Sequence, residues 1–515
     1  MHRARDVALD DPLPPHAEAL FQDLELRTLV AAMADGDAFK AEVARRVLVE
    51  PLDDPAAIGY RQAVLRDCQA NPEVVRELYA LAGASIERPK RSSWTFLRDH
   101  PGYGVRHSRE VLRILVESFR ALRRIAEKHG QRFASEGFTT LFALIREELA
   151  EARLSEIESH VAELSLKGGV LVSARLGPGN KAADRVLRSR AAGEPHPLKW
   201  LRRWLRRRLR RADLEFTFEL PPRDEKLARE LADERDRGLE RVADVLAQAI
   251  ENILAFFGAL RAETAFYLGA LNLAARLDEL GAPRCMPEPL APAERRRSGR
   301  DLFDPCLALN GALRPVGNEL AADRRELVVI TGANQGGKTT FLRSVGLAQL
   351  LMQCGLFAPA SSFHASVAPR IVTHFKREED PSMRRGKLDE ELARMRSLVT
   401  EFGPGLRAGS LLLLNESFAA TNEREGSEIA RQIVRALTEA GVQVFFVTHL
   451  NDFARSYFEQ ADDAALFLRA QRRPDGTRTF ELLPGAPEAT SHGEDLYHEI
   501  FGDERGPSEV DGPRR

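Results

Sequence analysis

From Phe21 to about Ala84 apolar residues return at helical intervals: Leu24, Leu26, Leu29, Val30 and Met33, then Val43, Val47 and Leu48. Pro51-Leu52-Asp53-Asp54-Pro55 interrupts the run, and Ala56–Cys68 resumes it as a new helix. Asp54 is placed to cap that helix, with Pro55 at the first position, where a missing N–H is tolerated. Asn71-Pro72-Glu73 predicts a second start of the same kind. Further helices are predicted over Ser108–His129 and Thr139–Leu166, separated by Gly130 and Gly137, and Gly168-Gly169 stops the second. Val170–Arg175 and Leu214–Leu220 alternate like strands around a polar excursion, which predicts a small β-element at the end of a helical arm. Asp224–Leu280 then reads as 57 residues of helix, on the order of 85 Å if continuous, a lever or a paired arm.

The last third changes period. Leu327–Ile330, Leu411–Leu414 and Val442–Val447 are short apolar runs, the pattern of strands buried on both faces, and helical patterns over Glu390–Phe402 and Ser427–Ala440 lie between them. Strand and helix in alternation predict a doubly wound α/β domain.

The first of these strands leads into Gly332-Ala333-Asn334-Gln335-Gly336-Gly337-Lys338-Thr339-Thr340, and a helix-like run follows. Strand, glycine loop and helix in that order fit the phosphate-binding pattern G-x-x-x-x-G-K-[ST]. The glycines let successive N–H groups face one anion, Lys338 and the helix N-terminus add positive charge, and Thr339 offers a hydroxyl to Mg2+. A nucleoside triphosphate is the expected ligand. Leu411–Leu414 ends in Asn415-Glu416, and Val447 in Thr448-His449, so both polar pairs are expected in the same crevice. Glu416 is the candidate base for an attacking water, against a plain helix-start acid; His449 is the candidate γ-phosphate sensor. Asn415 stands where an acid usually supports the metal and carries no charge.

Composition narrows this little. The chain has 515 residues, enough for two to four domains, with 43% hydrophobic and 30% charged residues. A net charge of -2 hides 75 basic against 77 acidic residues, so local patches matter more than the sum. Cys68, Cys285, Cys306 and Cys354 show no CxxC spacing, which predicts buried reduced thiols in a cytoplasmic protein rather than a zinc or disulfide framework. No apolar run reaches the ~18 residues of a membrane span, so no transmembrane segment is expected.

One patch stands out. Between Lys199 and Arg211 lie Arg202, Arg203, Arg206, Arg207, Arg208 and Arg210, eight basic residues counting both ends, around a Trp200, Trp204, Leu201, Leu205 and Leu209 stripe. This basic amphipathic helix would contact nucleic-acid phosphates, pack its stripe on the arm, or lie on a membrane surface.

Taken together, these motifs resemble the MutS family of DNA mismatch-repair ATPases. Thr331–Thr340 is similar to that family's TGPNMGGKST, Asn415–Asn422 stands at its DExxxGTS, Thr448-His449 at its switch histidine, and Thr490–Gly493 near its SYG stretch. Upstream, Ala44–Pro55 resembles the core stretch LLRRWLLQPLTD, and Pro315–Asn318 the segment that lines the nucleotide, which adds Asn318 to the expected contacts. The resemblance implies an ATPase using ATP and Mg2+, a homodimer with nucleotide between ATPase domains, and lever movement around DNA through backbone contacts.

The departures are as specific. The family's signature serine falls at Gly386, between Arg385 and Lys387. Only about twenty residues precede Phe21, so a truncated chain that does not itself read mismatches is expected. The expected layout is a loose start at 1–20, a helical core at 21–106, lever arms at 107–290 with a β-containing clamp-like tip near 168–222, a P-loop ATPase domain at 291–502 and a disordered tail at 503–515. The alternative is a slow or non-hydrolysing nucleotide switch that engages a protein or membrane partner through its basic arm.

Overall fold

The computed structural model describes residue 9 and residues 11–91, 101–164, 171–176, 182–188, 225–311, 315–377, 386–400, 406–460, 464–473 and 477–488. The basic stretch Lys199–Arg211, the strand expected at Leu214–Leu220, Arg385, Thr490–Gly493 and the tail lie outside the described residues.

Eight helices come first: α1 (Ala17–Asp23), α2 (Leu26–Ala34), α3 (Ala38–Leu48), α4 (Pro55–Ala70), α5 (Pro72–Arg91), α6 (Pro101–His129), α7 (Glu136–Glu148) and α8 (Glu151–Glu163). Asp54 caps α4 as its sequence predicts, accepting from Ala56 N and Ala57 N at 3.1 and 3.2 Å, with Pro55 at the first position. The single helix expected over Thr139–Leu166 is two, because Ala150 takes extended backbone (φ -56, ψ 141) between them. Apolar periodicity continues across that break, so the sequence pattern does not reveal it.

Strands β1 (Leu171–Leu176) and β2 (Ala182–Arg188) pair antiparallel. β2 lies within the stretch read as a polar excursion; its Ala182-Ala183-Asp184-Arg185 start hides a strand from a hydrophobicity scan. The long helix α9 spans Glu225–Glu279, 55 residues, close to the expected 224–280. One correction concerns membrane length: Val242–Glu279 of α9 is long and apolar enough to cross a bilayer by length and composition. Gln248, Glu251 and Asn252 break its apolar run, so a count of consecutive apolar residues misses it. The apolar window that meets this test is only 6% buried, while Phe266, Tyr267, Leu273 and Leu277 of α9 are buried.

The remaining elements alternate: β3 (Glu288–Leu290), β4 (Arg297–Leu302), α10 (Pro305–Gly311), β5 (Asn318–Ala321), β6 (Leu327–Thr331), α11 (Lys338–Gln353), β7 (Ser362–Ser366), β8 (Ile371–Phe375), α12 (Lys387–Thr400), β9 (Leu411–Asn415), α13 (Glu423–Glu439), β10 (Gln443–Val447), α14 (Asn451–Glu459), β11 (Ala465–Arg472) and β12 (Arg478–Pro484). A six-stranded sheet has the order β12-β11-β6-β10-β9-β8, parallel except for the β11–β12 pair. A second sheet has the order β3-β7-β4-β5.

By contacts the chain divides into two compact units: Met1–Arg76, Gly130–Leu141 and Ala262–Arg515 form one, Glu77–His129 and Phe142–Arg261 the other. In the second, Phe119 stacks on Phe257 with ring centroids 5.3 Å apart, and Arg120 of α6 pairs with Glu151 and Glu158 of α8. In the first, Leu327, Val329, Leu412, Leu414, Val444 and Phe446 form one buried face of the sheet against Ala430, Val434 and Phe453. Each of these Leu, Val and Phe side chains contributes roughly 1.5–3 kcal/mol when fully buried. On the other face α11 lies close: a Cβ on its Gly346 would sit 2.5 Å from Leu413 and 3.0 Å from Leu24. That approach ties the N-terminal helices, the P-loop helix and the sheet into one core.

Candidate nucleotide site

β6 is buried at every position and delivers the chain to the loop Gly332–Gly337 at the C-terminal edge of the sheet. The loop needs its glycines. Gly332 has φ +112, and a Cβ there would lie 2.9 Å from Ala470 N; Gly337, at φ +88, precedes the first turn of α11. Gln335 also takes a left-handed conformation (φ 58), and Arg478 Nη1 donates to its side-chain oxygen at 3.0 Å.

Lys338 is buried, and its Nζ donates to Gly332 O and Ala333 O, each at 2.8 Å. Burial lowers its pKa to about 8. Thr339 Oγ1 donates to Asn415 Oδ1 at 3.0 Å, which joins the first turn of α11 to the end of β9. One residue on, Glu416 has φ 52, a strained conformation for a side chain of this kind, and its N–H donates to Val447 O at 2.8 Å. The carboxylate then lies 3.3 Å from His449 Nε2 and 3.9 Å from Lys376 Nζ. The His449 contact holds its pKa below the usual carboxylate range, with burial opposing.

A cavity of about 570 Å³ opens over this loop, lined by Asn334 through Phe341, Glu416, Leu307, Val316, Asn318 and Phe480. Leu307, Val316 and Phe480 expose apolar surface there, the chemistry that receives a flat base, while Lys338 and the loop amides form the polar end. Thr339 and Asn415 supply the hard oxygen donors Mg2+ prefers, without formal charge. The donor set fits a magnesium-bound triphosphate.

The structure therefore brings Gly332–Thr340, Asn415, Glu416 and His449 to one crevice. Asn318 lines the cavity, yet its side chain is engaged elsewhere: Nδ2 donates to Phe480 O at 3.2 Å and Oδ1 accepts from Leu482 N at 2.7 Å. It holds β12 against β5. Gly386 is exposed at the start of α12.

Several neighbours escaped the sequence reading. Lys376 follows β8, where Thr373 and His374 interrupt the apolar pattern that marks Leu411–Asn415. Behind Glu416, Ser417 Oγ donates to His374 O at 2.8 Å and also meets His374 Nδ1 at 2.8 Å, while Phe418 N donates to Glu391 Oε1 at 2.8 Å. This network fixes the turn that aims Glu416. Arg343 of α11 pairs with Asp304, at 2.8 Å, and with Glu25, tying the P-loop helix to α10 and to the α1–α2 turn.

A glycine loop between a buried parallel strand and a helix, with a carboxylate at the end of a nearby strand, defines a P-loop nucleotide-binding domain. Two family models match the chain: the MutS2 N-terminal domain over residues 53–280 and MutS domain V over residues 328–493. The chain belongs to the MutS family. Domain V is that family's ATPase domain. Among similar proteins are the endonuclease MutS2 of Thermomicrobium roseum, 32% identical over 43% of this chain and 28% of the relative, and that of Thermus thermophilus, 30% identical over 33% and 23%. The DNA mismatch repair protein MutS of Thermotoga petrophila is 31% identical over 30% of this chain. The match spans only 20% of that relative's length.

Proposed function

We propose that this protein is a MutS-like ATPase that couples ATP hydrolysis to engagement of DNA in repair or recombination. The observation that carries the reading is the Glu416–His449 pair, 3.3 Å apart, beside the Thr339–Asn415 contact at the mouth of the P-loop. In this scheme the loop amides and Lys338 hold the phosphates, and Thr339 and Asn415 support Mg2+. Glu416 accepts a proton from the attacking water, and His449 orients that carboxylate and senses the γ-phosphate. Mg2+, when bound there, would supply positive charge against the phosphates. Two copies would sandwich nucleotide between ATPase domains, with Gly386 offering a backbone N–H and Lys387 charge across the dimer. The helical core at 21–106 and the levers at 107–290 would transmit the nucleotide state to a clamp-like tip. There Lys199, Arg202, Arg203, Arg206, Arg207, Arg208, Arg210 and Arg211 would meet the DNA backbone without sequence preference. The relatives' names, a mismatch-repair protein and endonucleases, support DNA as the partner.

Filter binding to linear and branched duplexes across a salt series tests this. Binding that weakens steeply with salt and is lost on reversing Arg206, Arg207 and Arg208 is expected; no binding at low salt contradicts it.

A second reading rests on Asn415. With a neutral amide where an acid usually holds the metal, turnover would be slow and the chain would act as a nucleotide-state switch toward a protein or membrane partner. Phosphate release at the level of a Glu416→Ala control would favour it.

A further inference from the structure

We propose that Arg297 forms the floor of a binding site for one small monovalent anion of the halide class, at the N-terminal ends of β6 and β10. The P-loop lies at the opposite end of these strands, so the site is separate from the nucleotide crevice. Arg297, on β4, is 2% exposed, and among the described residues no carboxylate is within ion-pair distance of its guanidinium. Its Nε donates to Gln443 Oε1 at 2.8 Å and its Nη1 to Gln349 Oε1. Both glutamines are locked with their oxygens toward it. Gln443 Nε2 donates to Arg325 O at 2.8 Å, and Gln349 Nε2 to Gln353 Oε1 and Ser366 O at 2.6 and 3.0 Å. These partners satisfy two donors and neutralise nothing. The nearby acid, Asp323, accepts instead from the Arg297 backbone N–H at 2.7 Å and from Arg296 Nε at 3.3 Å.

A buried, unneutralised charge is strongly unfavourable, and burial lowers the Arg297 pKa to about 9. Nη2 has no hydrogen-bond partner among the described residues. Beside Arg297 lies a cavity of about 30 Å³, also lined by Arg295, Arg296, Arg325, Ser366 and Gln443. That room suits one or two waters or one halide. Arg295 and Arg296, which also line it, pair with Glu326 and Asp323.

Crystals of the full chain soaked in sodium bromide test the site by anomalous scattering. A bromide peak within hydrogen-bonding reach of Arg297 Nη2 is expected; water alone at that position overturns the proposal. Thermal melting is the second arm, with sodium chloride compared with sodium gluconate at equal ionic strength. The native protein should melt several degrees higher in chloride, and Arg297→Met should lose that difference. An equal response in both proteins, or none in the native one, overturns it. If Arg297→Met fails to fold, the bromide map on the native chain decides.

Discussion

Thr339 Oγ1 donates to Asn415 Oδ1 across 3.0 Å, so the P-loop helix and the strand that carries the candidate base are joined through an uncharged pair. An acid at position 415 would put a full negative charge beside the ion. Asn415→Asp should therefore lower the Mg2+ concentration for half-maximal ATP hydrolysis by about tenfold, equivalent to ~1.4 kcal/mol. Magnesium titration of phosphate release checks this, and an unchanged midpoint would remove Asn415 from the metal site.

Lys338 makes nucleotide binding pH-dependent. Its buried ammonium titrates near pH 8 in the free protein. Phosphates favour the charged form and raise that value, so binding takes up protons and affinity falls as the pH rises past 8. Calorimetry at pH 8 in two buffers of different ionisation enthalpy should show net proton uptake, and Lys338→Met should abolish binding. Identical heats in both buffers would contradict the assignment.

His374 sits in the network behind Glu416, and burial lowers its pKa to about 4 from 6.5. Between those values the unfolded chain binds the proton and the folded one does not. Stability is present above pH 6.5 and is lost as the pH falls toward 4, by up to roughly 3 kcal/mol. Denaturant unfolding at pH 7 and pH 4.5 should show this loss, and His374→Gln should flatten the slope whatever its effect at pH 7. An equal slope in both proteins would place the acid sensitivity elsewhere.

Gly332 has no room for a side chain, with φ +112 and Ala470 N 2.9 Å from a Cβ. Gly332→Ala should destabilise the protein by ~1–3 kcal/mol and weaken nucleotide binding. Melting curves with and without nucleotide report both effects; wild-type melting would show that the loop relaxes freely.

How much of this was legible in the sequence follows from how each element is stabilised. β6, β9 and β10 are short apolar runs because parallel strands are buried on both faces, and the P-loop is written in glycines whose backbone conformations the loop requires. The Asp54 cap and the 55-residue helix were legible for the same local reasons. The β3-β7-β4-β5 sheet was not. β4 reads Arg-Ser-Gly-Arg-Asp-Leu, and two donors of its buried Arg297 are met by Gln349 and Gln443, both distant in sequence. Asn318 lines the cavity over the P-loop, and its amide is also held by β12, a partner no local pattern announces. Glu416 and His449 were found by one rule, polar residues at strand ends. Lys376 obeyed the same rule but followed β8, a strand whose Thr373 and His374 masked its apolar pattern.

The central claim is that Glu416 activates water in an ATPase responsive to DNA. Steady-state phosphate release by the native chain and by Glu416→Gln, each with and without duplex DNA, tests it most directly. The account predicts that DNA changes the native rate and that the variant loses on the order of 10²–10⁴-fold in turnover while still binding ATP. Equal rates in the two proteins, or a native rate indifferent to every form of DNA, would contradict it.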